Sequence, residues 1–215
     1  MAVTQNEKID HLLDEWAKEF STGNKFIRDG IINEELFSKS KIKILFIAKE
    51  PNSRNHTNEI AWDFRNWWQE PNLKYSFSQT LDLWAYGLLN NFPEIVEPRE
   101  NCLSQVAFMN VKKNCGGAET SRDQMLSAIN MNREFVKKQI ALIQPEIIIT
   151  CFSADHSLVK SLFEIELEDA LYGIHIGKFQ NSKLVSFYHP SMRAPNIMSY
   201  VLLKEIINSA KFKQL

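Results

Sequence analysis

Three polar residues, Glu50, Asn110 and His189, each stand at the end of an apolar run, and together they could support one reaction. A carboxylate can orient or deprotonate a water molecule, and an imidazole can donate a hydrogen bond to developing negative charge. A carboxamide both donates and accepts, so it can recognise a polar ligand. Because ligands of open α/β sheets bind beyond the carboxyl ends of the strands, we expect the three side chains to meet at one edge of a sheet.

Four apolar runs predict the strands that would position these residues: 42–48, 106–111, 146–152 and 183–188. Pro51 and Pro190 follow the first and last runs, and proline marks the end of a strand because it cannot donate to the ladder. Helical spacing of apolar residues lies before, between and after these runs. This alternation predicts a three-layer α/β/α sandwich around a mostly parallel four-stranded sheet.

The connections and the domain organisation follow from the same pattern. We expect one domain over residues 1–215, with an N-terminal helical extension over about residues 1–40. A long helix begins at Ser121 and ends at Pro145, and residues 153–155 cap the next helix. The acidic run 164–169 is interpreted as a solvated surface, and Gly173 and Gly177 bracket a short connection to the fourth strand.

Composition and charge restrict the function classes. The chain has 44% hydrophobic and 24% charged residues and a net charge of −1, so it has no global basic signal for nucleic-acid or membrane binding. The net charge counts modestly against a DNA partner, although basic charge can still be concentrated on one face. Its three cysteines lack paired spacing, which favours a reducing compartment over a disulfide framework or a zinc site. With a polar N-terminus and no apolar run near the ~20 residues of a membrane span, we expect a cytoplasmic protein with no membrane partner, metal or cofactor.

Three segments resemble motifs of the uracil-DNA glycosylase superfamily. Residues 47–52, Ile-Ala-Lys-Glu-Pro-Asn, resemble its first motif, which is written GQDPYH, GMNPG or GEAPG in different branches. Residues 108–113 are similar to the strand that ends in Asn-Val in the bacterial and archaeal branch. Residues 189–192, His-Pro-Ser-Met, resemble the closing HPS motif. The resemblance covers residues 42 to about 205 and leaves the first helix outside.

The resemblance implies a monofunctional DNA glycosylase, which extrudes a damaged or deaminated base from the stack and hydrolyses its N-glycosidic bond. In that enzyme Glu50 and His189 are the catalytic residues: Glu50 acts on the water and the cationic sugar, and His189 stabilises the departing base. Asn110 binds the edge of the base, and Trp62 or Phe64 stacks on its face.

The expected partner is DNA that contains such a base, held by the loops at the same edge. Met192 and Arg193 resemble the position of the wedge that fills the vacated stack. The candidate DNA contacts share a position on loops whose charge is predominantly basic; they are Lys49, Arg54, Lys112, Lys113, Ser191, Met192 and Arg193.

Departures from the family pattern leave alternatives open. Glu50 stands where related enzymes carry Asp or Asn, and Lys49 stands where the GEAPG branch carries its acid. The four-cysteine iron–sulfur site of some branches is absent. Each polar residue also has a structural interpretation, as a turn former or an internal histidine. The alternative is a non-catalytic module that binds a nucleotide, nucleic acid or protein on the same fold, and a different hydrolase is a third possibility.

Overall fold

The computed structural model describes residues 3–20, 26–51, 63–70, 74–97, 101–114 and 120–215. Within these residues the chain is an α/β protein with a seven-stranded sheet. The strands are β1 (Gly30–Ile31), β2 (Ile44–Ala48), β3 (Ala107–Asn110), β4 (Ile147–Thr150), β5 (Glu168–Leu171), β6 (Ile174–Phe179) and β7 (Ser182–Ser186). The helices are α1 (Gln5–Lys18), α2 (Glu34–Lys39), α3 (Phe64–Trp68), α4 (Ser76–Leu89), α5 (Arg122–Ile143), α6 (His156–Phe163), α7 (Asn196–Asn208) and α8 (Ala210–Gln214).

The sheet is mixed, with strand order β1-β3-β2-β4-β7-β6-β5. Its four central strands, β3, β2, β4 and β7, are the four predicted from the sequence, and neighbouring pairs among them are parallel. The prediction of a four-stranded, mostly parallel sheet is wrong, because three antiparallel strands extend it. β1 pairs with β3 at one end, and a β5–β6 hairpin pairs with β7 at the other. Gly173 and Gly177 do not bracket a connection, because β6 occupies the residues between them and Gly177 lies within this strand.

Both faces of the sheet bury apolar side chains. Along β2, Ile44, Phe46 and Ala48 belong to the core on one face, and Leu45 and Ile47 belong to the core on the other. This explains the nearly continuous apolar sequence of the strand, since period-2 alternation then directs apolar residues to two cores.

Helices cover both of these cores. On the first face α4 packs against the residues that directly follow β7, with the rings of Trp84 and Phe187 5.0 Å apart. On the second face α1 packs against α5, with Trp16 stacked on Phe135 at 5.2 Å. None of the helices in the described part of the chain combines the length and the apolar character needed to cross a membrane.

The predicted helix boundaries in the second half of the chain are confirmed. Ser121 caps α5 through a reciprocal pair of hydrogen bonds with Gln124. The helix ends at Ile143, where Gln144 adopts a left-handed conformation with φ 54° before Pro145. Asp155 caps α6 by accepting from two backbone N–H groups of its first turn.

The N-terminal segment is partly built into the sheet. Strand β1 lies within the region that we expected to be a helical extension, and Gly30 pairs with Phe108 of β3. Gly30 has φ 147°, a conformation that favours glycine, and a Cβ there would lie 3.2 Å from Cγ2 of Ile9 on α1. Glycine therefore lets the chain pass close beneath α1 and brings Asp29 next to the end of β3.

Candidate functional site

The carboxyl ends of β2, β3 and β7 lie at one edge of the sheet, because these strands are mutually parallel through β4. Ala48 at the end of β2 is in register with Asn110 at the end of β3. Two backbone hydrogen bonds continue this pairing past the strands: the Val111 N–H donates to the Ala48 carbonyl at 3.0 Å, and the Lys112 N–H donates to the Lys49 carbonyl at 2.9 Å. The chain segments that carry Glu50 and Asn110 are therefore fixed side by side.

His189 follows β7 and is partly buried against α4, with its ring 5.4 Å from the ring of Phe77. The Ser191 N–H donates to its Nδ1 at 3.2 Å. Nδ1 is therefore an acceptor, and a neutral imidazole carries its proton on Nε2. Burial, with a further contribution from the positive charge of Lys49, lowers the pKa of His189 to about 4. At neutral pH this residue is a neutral hydrogen-bond donor.

The lowered pKa of His189 has a consequence for stability. The unfolded chain carries an ordinary histidine with a pKa near 6.5, so at lower pH the unfolded state binds a proton that the folded state excludes. The neutral, buried ring is fully tolerated above pH 6.5. The free energy of unfolding is expected to fall as the pH drops from about 6.5 towards 4.

Replacing Lys49 by Gln is expected to raise the pKa of His189 from about 4 towards its ordinary value, without reaching it, because burial is the larger cause. A titration of the imidazole resonances by NMR would measure the change. The Arg193→Gln variant is the matched control. Arg193 lies on the same loop as His189, but its charge is not among the causes of the lowered pKa of His189. An unchanged pKa in Lys49→Gln would show that the Lys49 ammonium does not lie beside the imidazole.

Asn110 is held rigidly but leaves one donor unused. The residue is only 1% exposed, and its backbone N–H donates to Oδ2 of Asp29 at 2.8 Å. Its side-chain Nδ2 is buried and has no hydrogen-bond partner among the described residues. Leaving a buried donor unsatisfied costs about 1–3 kcal/mol, so such a group calls for an explanation. A ligand carbonyl oxygen bound at this edge would supply the missing acceptor.

Glu50 forms an ion pair with Lys112, which follows Asn110 on the neighbouring strand end. The Glu50 side chain is only 7% exposed, and that of Lys112 is 20% exposed. The contact uses Oε2 of Glu50; among the described residues Oε1 has no hydrogen-bond partner. The pairing fixes the carboxylate and leaves one oxygen that can accept from a water molecule. By contrast, the ammonium of Lys49 has no carboxylate partner within the described ranges.

An aromatic cluster lies beside His189, but its arrangement differs from the predicted one. Phe64, expected to stack on a base, is 8% exposed and packs against Phe108, with the two rings nearly parallel and 6.1 Å apart. The ring that contacts His189 is Phe77, which is less buried and is also stacked near Trp68 at 5.9 Å. Phe77 is thus the better candidate for the stacking ring. The sequence signalled it only as one of many aromatics between residues 60 and 92.

Lys113 is removed from the candidate DNA contacts, because its side chain is completely buried. Its Nζ lies 2.5 Å from Oδ1 of Asp29, 3.0 Å from Oε1 of Gln139 and 4.7 Å from the ring centre of Trp16. Burial lowers the pKa of this ammonium, and the Asp29 carboxylate opposes that effect. A group in this position cannot contact a phosphate at the surface.

The remaining predicted residues lie on the loop after β7 or outside the described residues. Ser191 and Arg193 are exposed and Met192 is partly exposed, and the Met192 N–H donates to the His189 carbonyl at 3.0 Å. These three side chains are therefore accessible to a partner. Arg54 and Trp62 lie outside the described residues.

No protein-family model matches the chain, and no curated protein with which it was compared matches it either. Among the described residues, no three His, Cys, Asp or Glu side chains are grouped as metal ligands would be. The function must therefore be argued from the chemistry of the edge formed by Glu50, Asn110 and His189.

Proposed function

We propose that the protein is a DNA glycosylase that hydrolyses the N-glycosidic bond of uracil or another deaminated base in DNA. The observation that carries the proposal is the buried, unpartnered Nδ2 of Asn110, at the same sheet edge as the neutral donor His189. A base with exocyclic carbonyl oxygens offers acceptors to both groups. The ring of Phe77 beside His189 supports stacking on the base face.

Each residue then has a defined part in the reaction. Cleavage moves the electron pair of the N-glycosidic bond onto the base and leaves positive charge on the sugar. The Nε2–H of His189 donates to a carbonyl oxygen of the departing base, and the charge of Lys49 favours the same anionic form. Glu50, oriented by Lys112, accepts a proton from the water whose oxygen bonds to C1′ of the sugar. The base takes up a proton from solvent as it leaves.

The loops around the edge supply the contacts to the rest of the substrate. Lys49 and Arg193 suit the phosphates, which position DNA without specifying its sequence. Ser191 donates through its hydroxyl, and Met192 is an apolar side chain of the kind that is inserted between base steps. Because the base must leave the stack before it can reach Asn110, an already unpaired base costs less to bind.

One observation favours the alternative, a binding module without catalysis. The Glu50 carboxylate is ion-paired with Lys112 and is largely buried, so one of its two oxygens is already committed to a cation. A protein that only binds an extruded base or nucleotide needs His189, Asn110 and Phe77 but not a free carboxylate.

Base release separates the two functions. Single- and double-stranded oligonucleotides containing one uracil, hypoxanthine or xanthine would be incubated with the protein, and the free base measured by liquid chromatography and mass spectrometry. Binding would be measured on the same oligonucleotides at two salt concentrations. Release of one free base supports the glycosylase. Salt-sensitive binding without release supports the binding module. If the protein neither binds these oligonucleotides nor releases a base, both functions are contradicted.

A further inference from the structure

A buried polar network of Asp29, Lys113 and Gln139 holds the end of β3, and none of these three residues takes part in the proposed reaction. The Asp29 carboxylate accepts from the Asn110 backbone N–H at 2.8 Å through Oδ2. Its Oδ1 accepts from Nζ of Lys113 at 2.5 Å and from Nε2 of Gln139 at 2.9 Å. Asp29 is 1% exposed, and Lys113 and Gln139 are 0% exposed.

The network connects four parts of the fold to the site. Asp29 precedes β1, Gln139 lies on α5, and Lys113 follows the strand end that carries Asn110 and Lys112. The Lys113 carbonyl also accepts from the Ile27 N–H at 2.6 Å, and Gln139 donates to the Asp29 carbonyl at 3.2 Å. The ammonium of Lys113 packs over Trp16 of α1.

The geometry explains why a carboxylate is needed at this position. Strand β1 pairs with β3 only at Phe108 and Ala107, so its backbone provides no ladder acceptor for the Asn110 N–H. Oδ2 of Asp29 takes the place of that carbonyl. A free side-chain oxygen would rotate, but the two bonds to Oδ1 fix the carboxylate plane. Because the bond holds the Asn110 backbone, it fixes the Cα from which the recognition amide projects.

We propose that Asp29, held by Lys113 and Gln139, is a positioning residue that sets Asn110 for ligand recognition. The inference rests on the proposed function only for the identity of the ligand. The positioning itself is a property of the free protein. It makes the segment before β1, which lies outside the family resemblance, part of the site.

The test removes the carboxylate and the ammonium together, in Asp29→Leu/Lys113→Met, so that no unpaired charge stays buried. Ser199→Ala is the control, because it deletes a buried bond of 3.0 Å to Trp84 Nε1 that is outside this network. Amide hydrogen exchange is measured by NMR on the full chain, with circular dichroism to verify folding. We expect exchange at Asn110 to become at least about tenfold faster relative to the β2 and β4 amides, and to stay unchanged in Ser199→Ala.

A second readout uses a double-mutant cycle with Asn110→Ala. The double variant alone is expected to lower base release, or base binding if the protein does not cleave, by roughly 10–100-fold. Added to Asn110→Ala, the Asp29→Leu/Lys113→Met pair should cause no further loss, whereas a merely structural defect would add to it.

Unchanged Asn110 exchange, or full additivity, would overturn the proposal. Amide exchange does not depend on activity, so it tests the positioning role even if the protein is not a glycosylase. A folded double variant with normal exchange at Asn110 would refute the positioning role and leave the glycosylase proposal standing. If the double variant does not fold, Gln139→Met, which removes one of the two bonds that fix Oδ1, is measured in its place by the same criteria.

Discussion

The His189→Ala variant is expected to release base about 10²–10³-fold more slowly than the wild type under single-turnover conditions. The substitution removes the Nε2–H that would donate to the departing base. His189 is only partly buried, so we expect the fold to persist. Since Ser191 donates to Nδ1 and leaves Nε2 as the protonated nitrogen, the loss should appear in the chemical step more than in DNA affinity. Single-turnover rates and equilibrium binding of the same uracil oligonucleotide would separate the two quantities.

Two controls and a pH profile make this result specific to a neutral donor. His11→Ala removes a histidine that is 79% exposed on α1 and should leave the rate unchanged. His189→Asn keeps an N–H donor on a shorter side chain and should recover part of the loss. Because the pKa of His189 is about 4, the rate should show no inflection from this residue between pH 5 and 8. A rate that rises as the pH falls through 6.5 would instead indicate a catalytic imidazolium.

The Lys113→Ala variant is expected to lower the free energy of unfolding by about 3–5 kcal/mol, because it leaves the Asp29 carboxylate buried without its counter-charge. For a chain of this length that loss corresponds to a decrease in Tm of roughly 6–20 °C. Urea unfolding monitored by tryptophan fluorescence would measure it.

The matched control for this stability change is Lys137→Ala on α5. Lys137 pairs with Glu164, whose side chain is 55% exposed, so the substitution should cost at most about 1 kcal/mol. Equal losses in the two variants would contradict the idea that Lys113 neutralises a charge that cannot reach water.

The sequence predicted the central strands well because each is buried on both faces. Every residue of Ile147–Thr150 is buried, so the strand has a nearly continuous apolar sequence. Pro145 before it and Asp155, which caps the next helix, limit where the strand can begin and end. The edge strands carried no such pattern. β5 has the sequence Glu-Asp-Ala-Leu, and its two exposed acidic residues belong to the run 164–169, which by itself predicts a solvated surface. β1 has only two residues, too few for any periodicity.

The sequence predicted those site residues that end or closely follow a strand. Glu50, Asn110 and His189 lie at the ends of strands that pair in parallel, so their backbones lie at one edge of the sheet. The roles of Asp29 and Phe77, which the sequence did not single out, depend on tertiary contacts. An acid between Arg28 and Gly30 looks like an exposed turn, but the pairing of β1 with β3 buries it. Asp29 and Asn110, which this pairing brings together, are 81 residues apart in the chain.

Lys112 and Lys113 illustrate the same limit. Adjacent lysines after a strand look alike in sequence and suggest one basic patch. In the fold they point to different sides: one pairs with Glu50 at the candidate site, and the other is enclosed with Asp29 in the core. Only the second is excluded from contact with a phosphate.

The measurement that tests the central claim most directly is single-turnover release of uracil from a single-stranded oligonucleotide by the wild type and Glu50→Gln. Glu35→Gln, an exposed residue of α2 that pairs with Lys39, is the matched control. The proposed mechanism predicts free uracil with the wild type and Glu35→Gln, and a rate about 10²–10⁴-fold lower with Glu50→Gln, with DNA binding retained. Binding without release by the wild type, or equal rates in wild type and Glu50→Gln, would contradict it.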